Sequence, residues 1–154
     1  MAGEIEAKLA EMGLSLPAAP APAATYVPFV ITGNLVFVSG QVASDENGFI
    51  TGTLGADTDV EQGRQAARRC ALNLLAQVKN ACDGDLDRLV RVVKLVGFVN
   101  ATSDFAEHPQ VINGASDFLG ELLGAKGAHS RSAVGSSSLP LGVSVEIEGI
   151  FEIA

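Results

Sequence analysis

The last eleven residues before the C-terminal alanine, Val143 to Ile153, alternate with a period of two. Val143, Val145, Ile147, Phe151 and Ile153 fall on one side, with Gly149 among them, and Ser144, Glu146, Glu148 and Glu152 fall on the other. Side chains of a strand point alternately to its two faces, so this run predicts a strand buried on one face only. A chain that ends this way must lay helices or a second sheet against the apolar side.

The rest of the chain supplies the helices. Thr58 and Glu61 form a T-x-x-E capping pattern, and Val60, Ala67, Cys70, Ala71, Leu74, Leu75 and Val78 follow at helical spacing until Asp83-Gly84. A second helical region runs over 104–123, with Pro109 in its first turn, and Val111, Ile112, Ala115, Phe118, Leu119, Leu122 and Leu123 on its apolar stripe up to Gly124. Arg64, Arg68 and Arg69 lie off the centre of the first stripe and read as a solvated face. Between and around these helices lie β-type runs at 26–31, 35–39, 49–51, 90–99 and 132–134. Thr32-Gly33-Asn34 marks a hairpin, and Ser39-Gly40-Gln41 a bulge or a close approach of backbone. Residues 45–48 read as a turn, and Leu139-Pro140 ends the strand before the last. The predicted order is β-β-β-α-β-α-β-β, an α+β domain with a mixed sheet and two helices on one face. Several strands are apolar on both sides, so the uncovered face points to a homo-oligomer.

The N-terminus reads differently. Ile5, Leu9 and Met12 predict a short helix over 3–13 that stops at Gly13, and Pro17, Pro20 and Pro22 predict an extended linker over 14–24, laid on the surface without chemistry. The division is therefore residues 1–24 as helix and linker, and 25–154 as one domain.

Composition narrows the function. Eighteen acidic against ten basic residues give a net charge of −8, the wrong sign for tracking phosphates, so nucleic acid is a poor partner. No apolar run is long enough for a membrane span, and the first residues lack the pattern of a secretory signal. Two cysteines, Cys70 and Cys82, have neither metal-ligand nor disulfide spacing and read as reduced thiols in a cytoplasmic setting. The two histidines leave almost nothing to build a zinc site from, and the glycines match no nucleotide-binding pattern.

Five places carry candidate chemistry. Seven of the ten basic residues lie between Arg64 and Lys94; after Lys94 only Lys126 and Arg131 remain. Arg131 opens a strand in HSRSAVG, where a guanidinium either pairs with a glutamate of the last strand or clamps a carboxylate ligand; spacing alone favours the ion pair. Glu146 and Glu148 share a strand face, either as a solvent-facing stripe, the simpler reading, or as a proton shuttle whose mutual repulsion raises a pKa. Tyr26 is a rim or core residue, and Asn113 caps, packs or binds. Ser136-Ser137-Ser138 resembles a nucleophile cluster, but nothing in the sequence ties His108 or His129 to it, and His129 reads as a loop histidine.

Taken in order, Tyr26, Gly33-Asn34, Ser39-Gly40-Gln41, Arg131-Ser132-x-Val134, Leu139-Pro140 and Val145-Glu146-Ile147-Glu148 resemble the Rid family, the reactive intermediate deaminases, also called the YjgF or L-PSP endoribonuclease family. The resemblance runs from about Thr25 to Ile153, and the N-terminal extension is similar to a longer-form branch. It implies a chorismate-mutase-like α+β fold and a homotrimer with pockets at the subunit interfaces. It implies hydrolysis of 2-imino or 2-enamino acids to 2-keto acids and ammonia, with no metal or organic cofactor. Arg131 then matches the residue that binds the substrate carboxylate and Glu146 the one that orients water. Tyr26, Ser39 and Asn113 match pocket positions. Ala133 stands where many deaminase members carry cysteine, and Gly135 where a bulkier residue is common. A small-carboxylate binding or sensor protein is the alternative, and the endoribonuclease of the family's name a third.

Overall fold

The structure, a computed structural model, describes residues 3–21 and 25–154. Its centre is the alternating C-terminal run. Strand β7, Val145–Ile153, buries Val145, Ile147, Phe151 and Ile153 and lies in the middle of a five-stranded sheet. Along the chain come β1 (Phe29–Thr32), β2 (Leu35–Val42), β3 (Ser44–Asp45), β4 (Gly48–Phe49), β5 (Leu89–Asn100) and β6 (Ser130–Ser136). The order across the sheet is β1-β2-β7-β5-β6; β5 and β6 run parallel and the other neighbours antiparallel, while β3 and β4 form a separate hairpin. The mixed sheet of the α+β expectation is present.

Two helices, α2 (Val60–Ala81) and α3 (His108–Leu123), cover one face. Their apolar stripes meet Val36, Val38, Val92, Leu95, Val99, Ile147 and Phe151 in a single core. Gly114 lets α3 approach α2, since a Cβ there would strike the backbone of Arg64. Among the described residues no helix covers the opposite face of the sheet. Val30, Phe37 and Val134 are exposed on it beside the half-buried Val96, Phe98 and Ile150.

The hairpin at Gly33-Asn34 and the irregularity at Ser39-Gly40 fall where the glycines predict. Gly33 has a φ of +59°, and the register of β2 against β7 shifts between Val38 and Gln41. Pro28 lacks an N–H, so β1 begins at Phe29 rather than at Tyr26. The cap of α2 is one residue later than predicted. Asp59, not Thr58, is the N-cap; its carboxylate accepts from the Gln62 N–H at 2.8 Å, and the Gln62 side chain accepts from the Asp59 N–H at 2.9 Å. D-x-x-Q and T-x-x-E are offset by one position, and the carboxylate holds the helix end. Asp59→Ala is therefore expected to cost about 1 kcal/mol of stability in denaturant titration, and Thr58→Ala less than about half of that.

Helix α1 (Glu4–Glu11) is anchored. Leu9 is fully buried in the core, Lys79 pairs with Glu6 at 2.7 Å, and Asp87 accepts from the N–H groups of Glu4 and Ile5. The extended segment that follows is not an inert surface strap: Leu14 and Leu16 pack on the core, and the Pro20 carbonyl accepts from Gln77 Nε2 at 2.7 Å. Its last predicted residues, 22–24, lie outside the described residues. The reading of Arg64, Arg68 and Arg69 as a solvated face also needs correction. All three are half-buried; Arg64 bonds the Gln110 carbonyl and Asp117, and Arg69 Nε donates to the Ser44 carbonyl. Their long stems lie between the helices and the loops, which sequence periodicity does not register. Both cysteines are free and buried, and burial pushes both thiols up, so little thiolate forms. No helix among the described residues is long and apolar enough to cross a membrane.

Candidate functional site

The six predicted site residues separate into two groups. Tyr26, Ser39 and Glu146 belong to the β2–β7 side of the sheet. A cavity of about 550 Å³ there is lined by Pro20, Tyr26, Gly40, Phe49, Leu141 and Glu146, among others. The bulge builds it: Ser39 Oγ donates to the Val27 carbonyl at 2.7 Å, which ties the chain before β1 to β2. A Cβ on Gly40 would collide with the Glu146 carboxylate, so the glycine is what admits that carboxylate to the cavity wall. Half-burial pushes the Glu146 carboxyl above the ordinary carboxylate range, and the negative charge of Glu148 adds to the rise. Pro20 and Ala21 close one side, so the N-terminal segment forms part of the wall. Gly40→Ala is expected to displace the carboxylate while the fold persists: turnover of a substrate that depends on Glu146 falls at least about tenfold, with the melting temperature moved by only a few degrees.

Asn113, Arg131 and Ala133 belong to the other end. Arg131 and Ala133 are two residues apart on β6 and share a face. Pro109, Asn113 and Ser116 recur at i, i+4 and i+7 on α3, one stripe of that helix. The Arg131 guanidinium reaches this stripe, with NH1 donating to Ser116 Oγ at 2.9 Å and NH2 to the Pro109 carbonyl at 3.2 Å. The alternative of an ion pair with a glutamate of the last strand does not hold: among the described residues Arg131 is in no ion pair.

Register shows why the two groups stay apart. Glu146 pairs with Phe98, and Phe98 with Val134, so these three share the open face. Arg131 pairs with Leu95, and Leu95 with Gly149, a row on the helix-covered face. Arg131 and Glu146 therefore leave the sheet in opposite directions. They are also two strands apart, about 10 Å at normal strand spacing.

Ser116, which the sequence did not single out, and His129, which it gave as a loop histidine, complete the Arg131 environment. His129 Nε2 is 2.9 Å from Ser116 Oγ, and His129 Nδ1 is 2.6 Å from the Gly127 carbonyl. The histidine does precede β6 in a connecting segment, as a loop residue would, but it is held at both ring nitrogens. Among the described residues no histidine is hydrogen-bonded to the serine run at 136–138; the His108 ring meets the Phe105 ring edge-on at 5.2 Å.

A family model described as "YjgF/chorismate_mutase-like, putative endoribonuclease" matches residues 6–151. The chain belongs to the YjgF/Rid family. The match takes in most of α1 and the proline segment, both outside the span of about Thr25 to Ile153 that carries the sequence resemblance. Among curated relatives, Protein TCP17 of Trypanosoma cruzi is 46% identical over 98% of this chain and 95% of its own length. A 2-iminobutanoate/2-iminopropanoate deaminase of Dermatophagoides farinae is 30% identical over 91% of this chain and 94% of its own. Among solved structures, an Agrobacterium tumefaciens protein of unknown function is 48% identical, with a TM-score of 0.91 over 97% of this chain and 93% of its own.

Proposed function

We propose that the protein is a hydrolytic deaminase of 2-imino and 2-enamino acids. In this reading it works as a homotrimer in which Arg131 of one protomer and Glu146 of another face a common pocket. The observation that carries the reading is the state of Arg131. In a chain of net charge −8, its guanidinium is held by two neutral oxygens and by no carboxylate among the described residues. A fixed cation without a counter-anion is a seat for one, and a small carboxylate fits its forked geometry. Because Arg131 and Glu146 lie on opposite faces of one sheet, a site that uses both needs a second copy. The exposed Val30, Phe37 and Val134 give that copy a surface to cover. The family relationship to an imine deaminase supports the same reading.

The chemistry asks for little beyond placement. An iminium carbon is already electrophilic. Glu146 accepts a proton from water as the water oxygen bonds to that carbon. The proton then passes to the nitrogen of the tetrahedral intermediate; as the C–N bond breaks, Glu146 takes the hydroxyl proton, so that a keto acid and ammonia form, and the ammonia leaves as ammonium with that proton. Arg131 holds the carboxylate throughout, converting an encounter into a positioned reaction.

Because the Glu146 carboxyl is raised, its basic form is lost on acidification earlier than an ordinary glutamate's would be. The acid limb of kcat/KM should therefore fall above pH 4.5, the unperturbed value. Glu148→Gln should shift that limb toward lower pH without abolishing the displacement, since burial is the larger cause. A pH–rate profile of both proteins checks this. The function itself is tested by generating 2-iminobutyrate with an amino-acid oxidase and following its loss. Acceleration by the pure protein supports a deaminase, whereas binding of 2-ketobutyrate with no acceleration identifies a carboxylate-binding protein. The RNA cleavage in the family's name has no support from the charge of −8.

A further inference from the structure

We propose that Ser116 and His129 are positioning residues for Arg131, forming a relay that fixes the guanidinium in a carboxylate-receiving pose; the inference rests on the reading of Arg131 as the carboxylate clamp. The polarity of the relay follows from its first member. The Gly127 carbonyl only accepts, so His129 Nδ1 carries the ring hydrogen across their 2.6 Å contact. In the neutral ring Nε2 is then the acceptor, and the Ser116 hydroxyl donates to it at 2.9 Å. With its hydrogen committed to the imidazole, Ser116 Oγ presents lone pairs to Arg131 NH1, also at 2.9 Å. A serine free to rotate would turn its own hydrogen toward the cation for part of the time.

The start of the relay is rigid. Gly127 is buried, and a Cβ on it would strike the backbone at Leu119, so its carbonyl is pinned against α3. The far end is fixed as well, because NH2 is bound to the Pro109 carbonyl on the same helix. Two of the five guanidinium N–H groups are thus used on neutral acceptors, which leaves three for a ligand. Neither partner carries a negative charge, so neither competes with an incoming carboxylate. A glutamate in place of Ser116 would hold the arginine more tightly and neutralise it. The combination of Ser116 and His129 orients the side chain and leaves its charge unspent.

The test separates this relay from the reading beneath it. In calorimetry with 2-ketobutyrate, Ser116→Ala and His129→Phe are each expected to raise Kd about tenfold. With 2-iminobutyrate they raise KM by a similar factor and leave kcat within about twofold. The double variant should be no worse than either single one, since the residues act as one unit. Ser116→Thr, which keeps the hydroxyl, should restore wild-type binding, and His129→Gln, which keeps an acceptor, should restore part of it. In ¹⁵N NMR the wild-type imidazole should carry its hydrogen on Nδ1. Wild-type affinity in Ser116→Ala, or an Nε2–H tautomer, overturns the relay while the deaminase reading stands. If instead Arg131→Ala retains both binding and turnover, the clamp fails and the relay with it.

Discussion

Arg131→Ala should lower kcat/KM for 2-iminobutyrate by about a thousandfold and abolish measurable binding of 2-ketobutyrate. A charge-assisted pair is worth up to about 3 kcal/mol, near 150-fold, and a substrate left to tumble at the site loses about tenfold more. The fold should survive. Arg131 gives up two hydrogen bonds to α3, at 2.9 and 3.2 Å, and no ion pair among the described residues. That costs about 1–2 kcal/mol, a few degrees of melting temperature. Light scattering on the variant separates a ligand clamp from a contact that holds the assembly together, because loss of the clamp alone leaves the mass of the oligomer unchanged. A variant that loses turnover and keeps its assembly fits a ligand clamp. One that keeps turnover removes Arg131 from the site.

Arg131 also shows how far the sequence carries. Its strand was legible because HSRSAVG departs from helical spacing, and its isolation from other basic residues singled it out. Its partners were not legible. Ser116 lies fifteen residues earlier on another element, and His129 two residues earlier on the same run, so their meeting depends on how α3 packs along β6. The alternation of β7 and the stripes of α2 and α3 needed no such knowledge, since period 2 and period 3.6 are local properties of the chain. The cap of α2 slipped by one residue because two capping patterns overlap there, and only the hydrogen bonds at Asp59 decide between them. The N-terminal segment was the larger surprise. Prolines do predict an extended path, but composition does not say that Leu14 and Leu16 will reach the core, or that Pro20 will stand in the wall of the Glu146 cavity. Separation of Arg131 from Glu146 was beyond parity alone: β7 alternation gives the face of Glu146, but the face of Arg131 requires the β5–β6 register.

Glu146→Gln should combine a large loss with a gain. The carboxamide keeps the shape and hydrogen-bonding capacity of the side chain but cannot take a proton from water, so kcat falls by about 10²–10⁴. Binding of 2-ketobutyrate, assigned to Arg131, stays near the wild-type value. At the same time the protein becomes more stable near neutral pH. The Glu146 carboxyl is raised in the folded state, first by half-burial and then by Glu148. A carboxyl raised in this way favours unfolding wherever it is ionised in both states. Below pH 4.5 it is protonated in both, and that penalty is absent; it grows as pH rises from 4.5 through the folded value and is complete above it. The melting temperature of Glu146→Gln should therefore exceed wild type at pH 7.5 and converge with it at pH 4. A solvent-facing glutamate with no catalytic duty would show neither the kinetic loss nor the pH-dependent gain. Stability surrendered at neutral pH to keep a half-buried base beside Gly40 is what a functional carboxylate leaves behind, and the two measurements together test whether Glu146 is one.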